Sequence, residues 1–325
     1  MAQHRSKSHQ RRHTAANTPA AGEIRQHYYL NQYVIIAPGR NRRPSSFARP
    51  RPDAKTGAAS CHFCHNAEPA LLQLPAAGDW QVKVVANAFP ALSLDNPHAF
   101  GTQEVVIDTP LHGQDFSGLS LNHMAEVLRA YAQRLTALKA VEGVRYVLVF
   151  KNNGQAAGAS VAHAHSQIIA LPLLPPQIAS ESDALNHYWD THGSCAICDL
   201  LSWELGQGAR VVAANDHMVA ITPYAPVRAF EVWFIPRRHT GSLCDLSSNE
   251  LSGLVALLKP VTARLDAAGI SYNFFFQESV ANQDHHLMLR VEPRANSWAG
   301  AEYGTGVIIN PVAPEAAAQW YAEER

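Results

Sequence analysis

Two stretches of the chain carry the same hydrophobic rhythm. Between Ser120 and Val141, Met124, Val127, Leu128, Tyr131, Leu135 and Leu138 recur at helical spacing and form one apolar stripe. The spacing returns at Leu251, Leu254, Leu257, Leu258, Val261 and Leu265, behind Ser247-Ser-Asn-Glu250, a pattern that caps a helix N-terminus reciprocally. Each helix is followed by a β-rich run, Arg145–Phe150 and Ser271–Phe276, suited to a central strand, and each is preceded by a matching shorter one, Glu104-Val-Val-Ile and Glu231-Val-Trp-Phe. The pattern predicts an α+β protein of two fused halves, each an antiparallel sheet with one packing helix, whose sheets join. Leu171 to about His187, rich in proline and polar residues, reads as a linker and divides the chain into 23–175 and 187–325.

The polar residues repeat in the same order. Cys61-His-Phe-Cys64 is followed by Val-Val-Ala and Asn87, then Glu104, His112 eight residues later, and His163. Cys195-Ala-Ile-Cys198 is followed by Val-Val-Ala-Ala-Asn215, then Glu231, His239 eight residues later, and His286. Matched order over segments of this length is the signature of an internal repeat. It defines two sets of two thiolates and two imidazoles, Cys61/Cys64/His112/His163 and Cys195/Cys198/His239/His286. Zinc favours such tetrahedral sets, and a C-x2-C turn presents both sulfurs together. The first set is expected to hold Zn2+; its alternative is a surface knuckle with unrelated histidines. The second is either a further zinc site or a redox or buried cysteine pair.

Composition narrows the class. A chain of 325 residues with 47% hydrophobic residues fills a sizeable core. Of five cysteines, four fall in the two pairs and Cys244 is left over, which argues against a secreted disulfide scaffold and for the cytoplasm. No run approaches the roughly 18 apolar residues that span a bilayer. Residues 1–22 carry Arg5, Lys7, Arg11 and Arg12 without an acid, and read as a disordered basic tail. The net charge is −1, so the remaining chain is mildly acidic and gives no sign of a nucleic-acid surface.

Chemistry is expected where the copies differ. Copy one has Asn152-Asn-Gly154-Gln-Ala-Ala-Gly158-Ala-Ser160 before its histidine, whereas copy two has Gln277-Glu-Ser-Val-Ala-Asn-Gln-Asp284, without glycine and with two acids. Glycines such as Gly158 let backbone N–H groups approach a phosphate, and carboxylates repel one. Copy one then presents His163, His165 and Gln167 at two-residue intervals, on one face of a strand, where copy two has His286 and Met288. With His163 on the metal, His165 is held as a neutral imidazole able to attack phosphorus, its second nitrogen protonated and bonded, most simply to a backbone carbonyl. Gln167 and Ser160 would donate to phosphoryl oxygens. One active site is expected, in the first half.

These residues resemble galactose-1-phosphate uridylyltransferases and the related ADP-glucose phosphorylase-like enzymes, a branch of the histidine-triad superfamily. The likeness spans nearly all of the chain after the tail. It rests on Val34-Ile-Ile-Ala-Pro-Gly-Arg40-Asn-Arg-Arg43-Pro, Cys61-x-x-Cys64, Asn87-Ala-Phe-Pro-Ala-Leu, Phe150-Lys-Asn152-Asn-Gly, Gly158-Ala-Ser160-x-x-His163-x-His165-x-Gln167 and Glu302-Tyr-Gly-Thr-Gly-Val-Ile-Ile-Asn310-Pro-Val. The resemblance implies histidine-triad-like repeats and a ping-pong reaction. In it His165 takes the nucleoside monophosphate of a nucleotide sugar, releases sugar 1-phosphate, and passes the nucleotidyl group to a sugar 1-phosphate or phosphate. It implies that Asn152, Ser160 and Gln167 hold phosphates, that Arg40, Arg43 and Asn87 line the nucleotide site, and that the chain forms a homodimer. The arginines' planar forks suit phosphate oxygens, although a solvated basic loop would read the same way.

Two departures stand out. Relatives carry a second-half metal site with a His-x-His near Met288-Leu-Arg290, and neither histidine is present; Ala164 stands where relatives have proline. No residue identifies the base or the sugar. A histidine-triad hydrolase would have a third histidine where Gln167 stands, able to protonate the leaving group; glutamine cannot, which favours transfer over hydrolysis. A zinc-dependent binding protein without catalysis would bring its C-x-x-C pairs close together in sequence, and here they are far apart.

Overall fold

The computed structural model describes residues 22–42, 57–65, 68–280 and 285–323; the basic tail, Arg43 and the end of the second-copy loop lie outside them. In the first half, β1 (Glu23–Gln26) and β2 (Tyr33–Ile36) precede β3 (Leu72–Leu74), β4 (Val82–Ala86), β5 (Thr102–Ile107), β6 (Tyr146–Asn153) and β7 (His165–Leu171), with α1 (Leu121–Lys139) between β5 and β6. After α2 (Pro176–His192) and α3 (Ala196–Gln207) come β8 (Val211–Ala214), β9 (Met218–Ile221), β10 (Val232–Pro236), α4 (Ser248–Ala267), β11 (Tyr272–Gln277) and β12 (Met288–Pro293). The chain closes with α5 (Gly300–Thr305), β13 (Ile308–Asn310) and α6 (Pro314–Ala322).

Ten strands form one sheet in the order β3-β4-β5-β7-β6-β11-β12-β10-β9-β8. Read inward from either edge, the connectivity is the same, and the halves join where β6 meets β11 antiparallel, Asn152 opposite Asn273 and Phe150 opposite Phe275. The predicted joining of two antiparallel sheets is therefore observed.

Both predicted helices lie on one face of this sheet. The Ser120 hydroxyl accepts from the His123 N–H at 3.2 Å, starting α1, and Ser247 and Glu250 form both bonds of the capping box that starts α4. Their stripes, including Tyr131, Leu135, Leu254 and Leu258, merge with Val149, Ile168, Phe234 and Leu289 into one core. Burial of such side chains stabilises by roughly 1.5–3 kcal/mol each, which fixes which face of every strand points inward.

The linker reading is corrected. Residues 176–192 form α2, and α3 follows, so the second half has helices before its strands as well as among them. Pro176 sits in the first turn of α2, where a missing N–H costs nothing; the proline pair marks a helix start rather than a break. Leu185, Ile197, Leu200 and Leu201 from these helices pack on Val219, Ile221, Trp233 and Met288, covering the other face of the second half's sheet.

A small sheet ties the chain ends together: β1 pairs antiparallel with β2, and β2 parallel with β13, Val34 opposite Ile308. Two motif segments far apart in sequence, 34–42 and 302–312, are thereby neighbours.

Candidate active site and metal centres

The first cysteine–histidine set converges. Ligand atoms of Cys61, Cys64, His112 and His163 all lie within 4.8 Å of one another. Cys61 Sγ is 3.6 Å from His163 Nδ1, and Cys64 Sγ is 3.4 Å from His112 Nδ1 and 3.5 Å from His163 Nδ1. Zinc–sulfur and zinc–nitrogen bonds at tetrahedral angles separate S and N by about 3.6 Å, so the edges fit a zinc-sized ion. The tautomer fits too: His163 Nε2 donates to the Thr109 carbonyl at 2.7 Å, leaving the Nδ1 lone pair toward the thiolates.

The second set repeats this arrangement. Cys198 Sγ lies 3.3 Å from His239 Nδ1 and 3.4 Å from His286 Nδ1, and His286 Nε2 donates to the Pro236 carbonyl at 2.9 Å. Pro236 stands three residues before His239, as Thr109 does before His112. Two histidine Nδ1 atoms aimed at the cysteines favour a metal centre over a redox pair. Both sets are therefore able to hold a metal, and their soft, four-donor composition suits zinc.

Next to the first set, β7 begins at His165. Ser166, Ile168 and Ala170 face α1, so His165 and Gln167 face the other way, where Ile107 and Val105 are their partners on β5. The His165 Nδ1 donates to the His163 carbonyl at 2.8 Å. A carbonyl can only accept, so Nδ1 carries the proton and Nε2 holds the lone pair; the expected bond to a backbone carbonyl is present, and the structure adds which nitrogen makes it. Burial lowers the His165 pKa first and the Lys151 charge second, so the ring is neutral at neutral pH. Its ring centroid is 5.0 Å from that of Phe63, beside the metal knuckle.

Behind the strand lies a buried polar cluster that sequence reading did not assign. Lys151 Nζ donates to Asp108 Oδ2 and to the His165 carbonyl, each at 2.7 Å, and the Ser166 hydroxyl donates to Asp108 Oδ1 at 3.0 Å. Lys151 is 1% exposed and Asp108 not at all. Such a pair is retained only if its partners are well placed, and here the lysine holds the backbone of His165 itself. The available signal was period: Lys151 follows Val147 and Val149, both core positions, at two-residue spacing.

The loop after β6 is built around two left-handed glycines, Gly154 at φ 81° and Gly158 at φ 90°. A Cβ on Gly154 would stand 2.3 Å from Ser271 Oγ, so only glycine lets the loop lie against the second half. Asn152 is half-buried at its base, while Gly158 and Ser160 are exposed along it. Asn87 follows β4, and its Oδ1 accepts from the Phe89 N–H at 2.9 Å, whereas its counterpart Asn215 is bonded into its own half through Gly253. Arg40 lies in a short 3-10 turn, Pro38–Arg42, after β2.

The corresponding surface of the second half is filled. Met288, at the position of His165, is fully buried beneath α2 and α3. Arg290, at the position of Gln167, is buried against Glu181 at 3.2 Å and stacks 4.7 Å from the Trp233 ring. The counterparts of His165 and Gln167 are thus a buried thioether and a paired guanidinium, neither of which can act as a nucleophile.

The fold and this site define an enzyme of the nucleotidyltransferase class. Residues 20–175 match the N-terminal domain model of galactose-1-phosphate uridyl transferase and residues 181–323 its C-terminal domain model; the chain belongs to this family. It is 31% identical over 90% of its length to an ADP-glucose phosphorylase of Arabidopsis thaliana, covering 90% of that protein. It is 27% identical over 93% of its length to a galactose-1-phosphate uridylyltransferase of Thermotoga maritima, covering 98% of that protein. The crystal structure of the Arabidopsis ADP-glucose phosphorylase with bound ADP-glucose superposes with a TM-score of 0.82 at 30% identity, over 94% of this chain and 100% of that one.

Proposed function

We propose that the protein moves a nucleoside monophosphate from a nucleotide sugar to a sugar 1-phosphate or phosphate, through a covalent nucleotidyl group on His165. The observation that carries this reading is the tautomer: the Nδ1–H bond to the His163 carbonyl leaves Nε2 as a neutral nucleophile without a separate base. Nε2 bonds to the α-phosphorus as the phosphorus–oxygen bond to the sugar phosphate breaks, and its positive charge is shared with the Nδ1–H···O=C bond. Gln167, Asn152 and Ser160 supply side-chain donors to the phosphoryl oxygens, each typically worth on the order of 100-fold in rate, while the N–H groups of Ala157, Gly158 and Ala159 are spent on the Gly154 and Gln155 carbonyls and hold the loop's shape. Arg40, Arg43 and Asn87 would line the nucleotide. The second substrate then attacks the same phosphorus and regenerates the neutral imidazole.

Zn2+ in the Cys61/Cys64/His112/His163 set would contribute folding energy and hold His163, and with it the carbonyl that fixes the His165 tautomer. Four protein donors close a tetrahedral shell, so the reading gives the ion no contact with substrate. The second set would staple α3 to its sheet. The halves, 23–175 and 187–325, are read as histidine-triad-like units, of which the first kept the chemistry.

The family resemblance favours a UDP-sugar donor. A second reading, an ADP-sugar donor, is supported by the match to the Arabidopsis protein named for ADP-glucose. Intact-protein mass spectrometry after incubation with UDP-glucose, UDP-galactose or ADP-glucose, without acceptor, distinguishes them. A uridylyl or adenylyl adduct absent in His165→Ala is expected; turnover with full activity in His165→Ala would remove the residue from the mechanism.

A further inference from the structure

Asn152 is useful to a phosphate only if its amide is turned one way. Its Oδ1 would repel a phosphoryl oxygen, and its Nδ2 would bind one; the two ends are nearly the same shape, so something other than sterics must choose. The choice can be read from bonds whose direction is fixed. Arg294 Nε can only donate, and it donates to one end of the Asn273 side chain, which must therefore be the oxygen. The other end of Asn273 is then the nitrogen, and it lies 2.8 Å from the Ala157 carbonyl, which can only accept. The same nitrogen lies 2.8 Å from Asn152, so the atom it meets must be an acceptor, Oδ1. Both hydrogens of Asn273 are now used, and Nδ2 of Asn152 is turned to the loop, where it stands 3.8 Å from the site of a Cβ on Gly158.

Asn273 and Arg294 belong to the second half, on and just after strands β11 and β12. The Asn273 side chain crosses the seam where β6 meets β11, in whose register Asn273 stands opposite Asn152, and Arg294 backs it from within the second half. Arg294 is held in turn 3.7 Å from the Glu292 carboxylate, and its backbone N–H donates at 2.7 Å to the carbonyl of Ser271, the residue whose side chain Gly154 packs against.

We propose that Asn273, set by Arg294, is a positioning residue for nucleotidyl transfer: it fixes the amide of Asn152 so that its N–H donors face the substrate phosphate. The second half thus takes part in the reaction of the first without contributing a group that touches substrate. The proposal rests on the reading that Asn152 holds a phosphate, and the test separates the two.

Asn273→Asp keeps size and the bond to Arg294 but presents an acceptor to Asn152, which turns its amide around and aims Oδ1 at the phosphate. Asn273→Ala merely releases the amide. The rate of nucleotidyl-enzyme formation at saturating nucleotide sugar should fall about 10- to 100-fold in Asn273→Asp, the size of a lost hydrogen bond to a charged group, and less in Asn273→Ala. In an Asn152→Ala background, Asn273→Asp should change the rate by less than about threefold, because the group it acts through is gone. Asn273→Ala as slow as Asn273→Asp, or an undiminished effect of Asn273→Asp in the Asn152→Ala background, would overturn the proposal. Should Asn273→Asp not fold, the Asn273→Ala and Asn152→Ala cycle decides by the same non-additivity. A normal rate in Asn152→Ala alone would instead defeat the phosphate role of Asn152.

Discussion

Replacing Lys151 by methionine separates what holds the site together from what performs the chemistry. The lysine is 1% exposed and its ammonium has two acceptors at 2.7 Å, the Asp108 carboxylate and the His165 carbonyl. Methionine fills similar volume, so the loss is chiefly electrostatic: Asp108 stays buried with the Ser166 hydroxyl and without its countercharge. Breaking a buried pair from one side costs about 3–5 kcal/mol, whereas replacing both partners by neutral groups costs far less. Lys151→Met should therefore lose about 3–5 kcal/mol in chemical denaturation of the metal-loaded protein, and the double variant with Asp108→Asn should recover more than half of it. Neither variant restores the bond to the His165 carbonyl. Displacement of a nucleophile by a fraction of an ångström to 1 Å costs up to about 100-fold, so adduct formation should stay slow in the double variant while its stability returns. A Lys151→Met cost below about 1 kcal/mol, or strictly additive costs in the double variant, would refute the account of this cluster.

Other expectations follow from the same geometry. Cys61→Ser and Cys195→Ser should each lower metal content by one ion per chain and destabilise, since a structural zinc contributes on the order of 10 kcal/mol of apparent folding energy; Cys61→Ser should also slow transfer, and metal analysis with unchanged stoichiometry would contradict the sites. His27 is buried and its pKa lies near 3, chiefly through burial and then the Arg290 charge, while its Nδ1 accepts from the Leu30 N–H at 3.3 Å. Below pH 6.5 the unfolded chain binds a proton that the folded one refuses, so this residue makes stability fall as pH drops from about 6.5 to 3, by at most about 1.4 kcal/mol per pH unit. His27→Gln should flatten that limb of the denaturation profile; identical slopes in both proteins would defeat the assignment.

What the chain disclosed in advance depended on how local the signal was. The helix α1 was legible from its period and α4 from period and capping box together, all within about twenty residues, and the metal sets because each half repeats the same order. That one His165 nitrogen would be held by a backbone carbonyl was legible from the chemistry a nucleophile needs; that the nitrogen is Nδ1 and the carbonyl that of His163 came only from the fold. The helix α2 was misread since Pro175-Pro176 looks alike at a helix start and in a linker, and only packing of Leu185 on the second sheet decides. Asn273 and Arg294 were not legible, and of the Lys151–Asp108 pair only the lysine's place on the core face was: the contacts arise where the sheet brings together residues 43 apart, for Lys151 and Asp108, and 121 apart, for Asn152 and Asn273, which no local pattern encodes. The pairing of β2 with β13 belongs to the same class.

The central claim is that a nucleotidyl group rests on His165 between two half-reactions. The most direct test is to form the adduct with the competent nucleotide sugar, remove excess donor, locate it by tandem mass spectrometry, and then divide the sample between water, phosphate and sugar 1-phosphate. The account predicts modification of the peptide bearing His165, persistence in water, and discharge to a new nucleotide product with at least one phosphate acceptor. An adduct on another residue, or one lost as fast in water as with acceptor, would contradict it.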